Sequence, residues 1–430
     1  MFSREQLLNL QTVIGQWVVQ QCGAVTVEEA EQAAAEVARA AGAVVVETLV
    51  PSSAGRRSNQ GSRLACACGA QAKFVGYRAR GVGTLYGVVA VERAYYHCRQ
   101  CGRGQLPWDQ QQGLNSRLWT PRVKSLVTQV AVRLSYRESV DLLSETLGFE
   151  LEDSSADEIV QEVGGRLRAQ QTELMSGSEG GEIAPLVTSA PRRLYVGMDG
   201  THAHIGGGWH EVKIGVVYEG RPGEDGVDTV QHARYVAIQE GSDQFGGRVY
   251  ALAAQAGVES AGETVVIGDG AEWIWNAAAH HYPRATQIVD YWHACEHIHA
   301  LGRAYYGEGS PQGQRFARAH CRALKDKGPG KLLGALARLR PKTDEQEQAV
   351  GRERGYFQRH RQRMQYHHFR AAGLMIGSGP VEAACKVVVG QRLKGAGMRW
   401  STAGADAVLA ARAALLSGDA HLIAKAARAA

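Results

Sequence analysis

Leu194-Tyr195-Val196-Gly197-Met198-Asp199 is an apolar run that ends on an acid, and Thr264-Val265-Val266-Ile267-Gly268-Asp269 repeats the pattern. Short apolar runs of this kind predict strands buried on both faces. A third acid, Glu382, opens a predicted helix in Ser378-Gly379-Pro380-Val381-Glu382-Ala383-Ala384-Cys385. Two carboxylates at the ends of buried strands and one on a later helix can converge on a point. Converging carboxylates repel and bury charge, so they persist only where a cation neutralises them. Hard oxygen donors suit Mg²⁺ or Mn²⁺, and two such ions can clamp the attacking and leaving oxygens of an in-line phosphoryl transfer.

Working outward, the pattern from Arg192 reads as strands over 193–199, 210–218 and 228–238, then a helix over 243–257. A strand over 264–268, a helix over 271–281, a strand over 286–290 and a helix from Tyr291 follow. Three strands joined by short turns, then alternating helix and strand, fit a ribonuclease-H-like mixed α/β sheet. In that topology the first and fourth strands are neighbours, which places Asp199 beside Asp269. The basic stretch over 300–372 reads as an all-helical insertion before Glu382.

The preceding residues are of a different kind. Residues 3–21 and 26–49 read as helices, and Pro51 to Arg63 as a linker. Cys66-Ala67-Cys68-Gly69 and Cys98-Arg99-Gln100-Cys101-Gly102 are paired knuckles joined by a hairpin, with strands read over 81–93 and 94–96 between them. Four thiolates so spaced predict one structural Zn²⁺ in a zinc ribbon, with His97 as a spare ligand. Cys22, Cys295, Cys321 and Cys385 are scattered and read as small core residues. Residues 119–170 have a helix-turn-helix outline, broken at Gly148, and Met175 to Pro191 reads as a second linker. The organisation expected is a multidomain α+β chain: an N-terminal helical segment over 1–50, a zinc ribbon over 64–112, a helical DNA-binding domain over 115–174, and a catalytic domain over 192–430.

Apolar residues make up 44% and charged residues 21% of the 430, as in ordinary globular proteins. No apolar run approaches the roughly 20 residues of a membrane span. Met1 to Gln21 lacks the apolar stretch of a signal peptide, so the chain reads as cytoplasmic. The net charge of +5 is unevenly spread: Ala300 to Trp400 holds 20 lysines and arginines against 7 acidic residues, and the remainder is net negative. A basic block of this size suits a polyanionic partner.

The motifs resemble those of a known family. Tyr195-Val196-Gly197-Met198-Asp199-Gly200-Thr201 resembles the first acidic motif of DDE transposases. Ile267 to Trp275, followed by Val289-Asp290-Tyr291-Trp292-His293, resembles the mutator-like branch, with Asp290 and His293 in its Cys-or-Asp-x-x-His signature. Gly377 to Ser401 is similar to the C-terminal block of bacterial insertion-sequence transposases of the ISKra group. The resemblance covers about 192–410 and extends more weakly to the cysteine module. It implies an enzyme that cuts and joins DNA for its own mobile element. Asp199, Asp269 and Glu382 would hold two Mg²⁺ (or Mn²⁺), the terminal inverted repeats would be bound, and synapsis of two ends would need a homodimer or more. The alternatives are a catalytically inactive DNA-binding regulator and a metal-dependent nuclease.

Each residue also has a plainer reading. Asp199 and Asp269 both precede glycine, as turn residues do. Glu382 suits a first helical turn, and Glu272 competes with Asp269. Asp290 and His293 share a helical face and read as a hydrogen-bonded pair bracing the site. His293 and His297 could hold zinc, but Glu296 is expected on another face. Arg392, Lys394, Arg399 and Trp400 suit phosphate binding and stacking on an unpaired base. A salt-bridged helix end and a core tryptophan would explain the same four.

Overall fold

The computed structural model describes residues 3–21, 26–54, 58–114, 119–147, 150–179, 183–187 and 189–428. It is a mixed α+β chain in two compact units. One takes in the described residues up to Val123 with Leu143–Leu147 and Glu150, the other Lys124–Leu142 and the described residues from Leu151 onward. Among the described residues, no helix is long and apolar enough to cross a membrane.

The first unit begins with α1 (Arg4–Gln21) and α2 (Val27–Ala54). An antiparallel sheet follows in the order β1 (Arg63–Ala65), β2 (Gln71–Thr84), β3 (Gly87–His97) and β4 (Gly104–Gln105), then α3 (Pro107–Gln111). The turn of the expected hairpin falls inside the stretch read as strand over 81–93. Gly87 has φ +105°, and the Thr84 hydroxyl donates to the Gly87 carbonyl at 2.9 Å, so the chain reverses there. Val82, Val89, Val91, Trp108 and Leu114 form a small core that Val46 and Val50 of α2 cover.

The second unit contains α4 (Pro121–Ala131) and α5 (Tyr136–Leu147) up to Leu142, apart from the first residues of α4, and then α6 (Asp153–Glu179). Its sheet is built from β5 (Arg193–Ile205), β6 (Gly208–Pro222), β7 (Asp228–Ile238), β8 (Glu263–Gly268) and β9 (Thr286–Val289), in the order β7-β6-β5-β8-β9. β5, β6 and β7 pair antiparallel, while β8 pairs parallel with both β5 and β9. Parallel strands buried on both faces demand continuous apolar runs, and Val265, Val266, Ile267, Ile288 and Val289 are all buried.

Side-chain alternation then assigns the faces. A Cβ at Gly215 would meet Val249 of α7 (Ser242–Gln255), whereas a Cβ at Gly197 would meet Val381. Asp199 has the parity of Gly197 and points to the Val381 side. Helices α8 (Glu272–His281), α9 (Tyr291–Tyr306), α10 (Pro311–Lys327), α11 (Gly330–Arg338), α12 (Asp344–Arg359) and α13 (Tyr366–Ala371) lead to α14 (Gly379–Ala384). A π-helical turn over Cys385–Gly390, α15 (Gln391–Leu393), α16 (Thr402–Leu416) and α17 (Ala420–Arg428) complete the chain.

α6 packs within the second unit. Ile159, Val160, Val163 and Leu167 are buried, and a Cβ at Gly164 would lie 2.2 Å from the Ala407 carbonyl of α16. Helices that touch backbone to backbone leave no room for a duplex on that face. The linker expected from Met175 is helical through Glu179, because α6 continues through it. Gly148 and Cys22 lie outside the described residues.

Candidate active site

β5 and β8 diverge just where the acids stand. Their last parallel pair is Gly197 with Ile267, and Asp199 and Asp269 lie at equivalent positions two residues beyond it. β5 does not end at Asp199. It runs on with β6 as a hairpin arm to Gly206 and Gly207, both of positive φ. Glu382 sits in the first turn of α14, next to Val381, which packs over Gly197. Asp199, Asp269 and Glu382 thus line one cavity of about 320 Å³, with Met198, Trp292, His293, Glu296, Ser378 and Val381.

Each carboxylate is tethered. Asp199 accepts from the Gly200 N–H at 2.7 Å and from the Cys385 thiol at 3.4 Å. Asp269 accepts from the Ala271 N–H at 2.8 Å, and Glu382 from the Ser378 hydroxyl at 3.0 Å. Burial, then the charges of Asp269 and Glu382, push the Asp199 carboxyl above its ordinary value against the hydrogen bonds from Gly200 and Cys385. Burial, with Asp199 beside it, likewise pushes the Cys385 thiol up.

Asp290 is a brace rather than a free ligand. It is fully buried and caps α9 by accepting from the His293 N–H at 2.7 Å. Its other oxygen accepts from the Ser378 N–H. Asp290 therefore fixes Ser378, and Ser378 holds Glu382. The expected partner of Asp290 was the side chain of His293; the contact is to its backbone.

His293 lines the cavity with Nδ1 3.4 Å from Glu296. Glu296 therefore shares the face of His293, one turn along α9, contrary to expectation. His297 instead turns to α12, where Nδ1 lies 2.6 Å from the buried Glu353. Burial would raise the Glu353 carboxyl, but hydrogen bonds from His297 and Arg352 hold it below its ordinary value. Tyr356 stacks on His297 at 3.9 Å and packs against Gly270, where a Cβ would be 2.3 Å from its ring. The helical stretch thus buttresses the Asp269 loop. Glu272 is exposed in the first turn of α8 and does not line the cavity.

The basic block divides. Arg392 is buried, donates to the Ala131 carbonyl at 2.8 Å, and lies 4.9 Å from the Tyr136 ring and 4.6 Å from the Trp400 ring. It cannot reach a phosphate without unpacking this unit. Trp400 is half-buried, with its Nε1–H given to the Leu393 carbonyl at 3.2 Å. Lys394 and Arg399 are exposed, and Lys394 donates to the Thr201 hydroxyl at 2.5 Å.

In the other unit, Cys66 Sγ lies 3.6 Å from Cys101 Sγ, and Cys68 Sγ 3.7 Å from Cys98 Sγ. A tetrahedron with metal–sulfur bonds of about 2.3 Å has sulfur–sulfur edges of about 3.8 Å. The four sulfurs lie within 4.8 Å of one another, so the cluster fits a structural metal such as zinc. The Cys68 N–H aimed at the Cys66 sulfur brings that thiol down to about 6, and the Cys101 N–H lowers Cys98. His97 is not part of the cluster. Among the described residues, no second set of three or more His, Cys, Asp or Glu donors is gathered so tightly, and the three carboxylates line their cavity more openly.

Ser378 and Trp292 at the cavity, and Cys385 beside Asp199, lie within quoted motifs without having been given a role there, while Glu353 and Tyr356 behind the cavity lie in no motif. The spacing of His293 and Glu296 was the one available signal. No curated protein matches the chain. Residues 70–426 match a family model over most of the molecule, and the chain belongs to the uncharacterised protein family UPF0236.

Proposed function

We propose that this chain is a transposase of the mutator-like DDE type, similar to the ISKra group, that cuts and joins DNA strands at the ends of its own insertion sequence. The observation that carries the reading is the meeting of Asp199, Asp269 and Glu382 in one cavity, from two adjacent parallel strands and a late helix. A sheet order of β7-β6-β5-β8-β9, with the first acid on the central strand, supports a ribonuclease-H-like core.

The donor set fits Mg²⁺ or Mn²⁺. It is made of carboxylates, no lysine or arginine among the described residues lines the cavity, and burial, with the like charges of Asp269 and Glu382, works against the ionisation of Asp199. Bound there, such ions would activate an oxygen nucleophile and neutralise charge on the phosphate. The protein's part is placement. Gly200 and Cys385 orient Asp199, Ala271 orients Asp269, and Asp290 acts through Ser378 on Glu382. In the first step water adds to phosphorus, the bond to the 3′-oxygen breaks, and that oxygen leaves with a proton as a hydroxyl. In the second, the freed 3′-hydroxyl attacks a target phosphorus and gives up its proton, the bond from that phosphorus to the target strand's 3′-oxygen breaks, and that oxygen takes up a proton and leaves as a hydroxyl. Neither step needs a serine or tyrosine nucleophile. Exposed Lys394 and Arg399 suit the DNA backbone, and Cys66, Cys68, Cys98 and Cys101 suit one Zn²⁺ in a zinc ribbon.

The test uses a plasmid carrying the coding region with its flanking DNA, incubated with purified protein and Mg²⁺. Joined products that vanish in Asp269→Asn are expected. Nicks without joining would make the chain a nuclease, and binding without strand breakage would make it a regulator.

A further inference from the structure

Trp292 stands in the first turn of α9 with 63% of its surface exposed. Scattered exposed apolar residues are ordinary, and exposure alone would carry nothing. Trp292, however, lines the same cavity as the three carboxylates. It is also held in place. The Tyr291 ring meets it edge-on at 5.1 Å, and the Gly377 backbone packs along its Cδ1–Nε1 edge, where a Cβ would come within 3.4 Å. The result is a fixed indole, open to solvent, beside a cluster of acids. An apolar peptide or lipid is a poor occupant for that wall, because its approach would strip water from the carboxylates without replacing it.

We infer that Trp292 is the platform on which an unpaired nucleobase stacks beside the phosphate that the acids engage. The inference rests on the DNA-processing reading of the cavity. Bases within a duplex hide their faces against one another, so a side chain this close to a reacting phosphate can stack on a base only after it leaves the helix. Stacking on an indole tolerates any base, since every base has a π-face. Trp400 does not serve this purpose: Arg392 lies 4.6 Å from its ring, Tyr136 packs on it, and its N–H is already used.

The experiment compares wild type, Trp292→Ala and Trp292→Phe in Ca²⁺. The probes are a blunt duplex and the same duplex with a short single-stranded 3′ end carrying 2-aminopurine next to the junction. Anisotropy reads binding, and 2-aminopurine emission reads stacking. Trp292→Ala is expected to weaken binding of the single-stranded end by about fivefold or more, the scale of one base–aromatic stack. Its complex should be brighter than that of wild type. Blunt-duplex binding should be unchanged, and Trp292→Phe should restore most of both effects. Equal emission from the wild-type and Trp292→Ala complexes, or equal loss on both probes, would overturn the role of Trp292 while leaving the DNA reading intact. Wild type that binds neither probe would overturn both.

Discussion

The cysteine cluster and the acid cavity both gather metal-type donors, yet they are built at different ranges. The four sulfurs come from two tight turns, one between β1 and β2 and one between β3 and β4, and already lie within 4.8 Å of one another. The three carboxylates come from β5, the end of β8 and α14, and share a cavity of about 320 Å³ without closing into such a set. The contrast fits the uses proposed for the two sites. A structural site is saturated by its own ligands, whereas a reacting site must leave coordination positions open for water and substrate. A soft, closed set can be written into a short hairpin; a hard, open one must be assembled by the sheet.

The sharpest way to break this contrast is to remove one acid. Asp269→Asn should lower strand joining by about a thousandfold or more, the scale of several kcal/mol of transition-state charge stabilisation. Elemental analysis should meanwhile show the cysteine-bound metal unchanged. If both are lost together, the two sites are not independent.

Cys68→Ser tests the other side. Bound zinc should fall from one per chain to near none, and amide signals of β2 and β3 should lose dispersion. Mn²⁺ titration of the acid cavity, followed by water relaxation, should be unaffected. A variant that retains its zinc would show that the cluster is not the binding site.

Arg392 and Lys394 sharpen the division within the basic block. Arg392→Ala should cost about 2–4 kcal/mol of folding stability, since it empties a buried site and orphans a carbonyl. It should leave the salt slope of DNA binding unchanged. Lys394→Ala should leave stability alone and flatten the log–log salt dependence by about one unit. Swapped outcomes in denaturation and salt series would return Arg392 to the DNA surface.

The smallest effect concerns pH. Burial and like-charged neighbours raise the Asp199 carboxyl in the folded chain, so ionising it works against folding. The stability it lends is full at low pH and is lost as pH rises through its folded value. Without divalent cations, Asp199→Asn should therefore raise the thermal midpoint at neutral pH by about 1–3 °C, with no gain in acid. Calorimetry at both pH values, with and without Mg²⁺, checks this; a gain that persists in acid would mean that charge is not the cause.

Most of the second unit's strands were legible because an apolar run ending on an acid reports its own burial and its own rim. Val265 to Asp269 shows this, and its neighbour across the sheet could be named from strand order alone. The cysteine knuckles were legible for a similar reason: their spacing is local. A hairpin between the knuckles was legible, but the place of its turn near Gly87 was not, because alternation looks the same on either side of a two-residue reversal. Glu296 and Trp292 were missed at the cavity because a helix face is defined only once something packs against the other side.

By itself the sequence determined which residues carry charge, sulfur and apolar bulk, and in what period. That was enough to name three acids and four thiols. Only the tertiary structure decided which cations face solvent. Arg392 and Lys394 are two residues apart and chemically alike, yet one is sealed beside Tyr136 and Trp400 while the other reaches Thr201 at the surface. The same holds for Asp290, an acid like the other three, which tertiary packing spends on the α9 N-terminus and Ser378. A side chain's chemistry is a property of its residue; its partners are set by which elements the chain brings back to it, and burial then decides whether its charge meets water, protein or substrate.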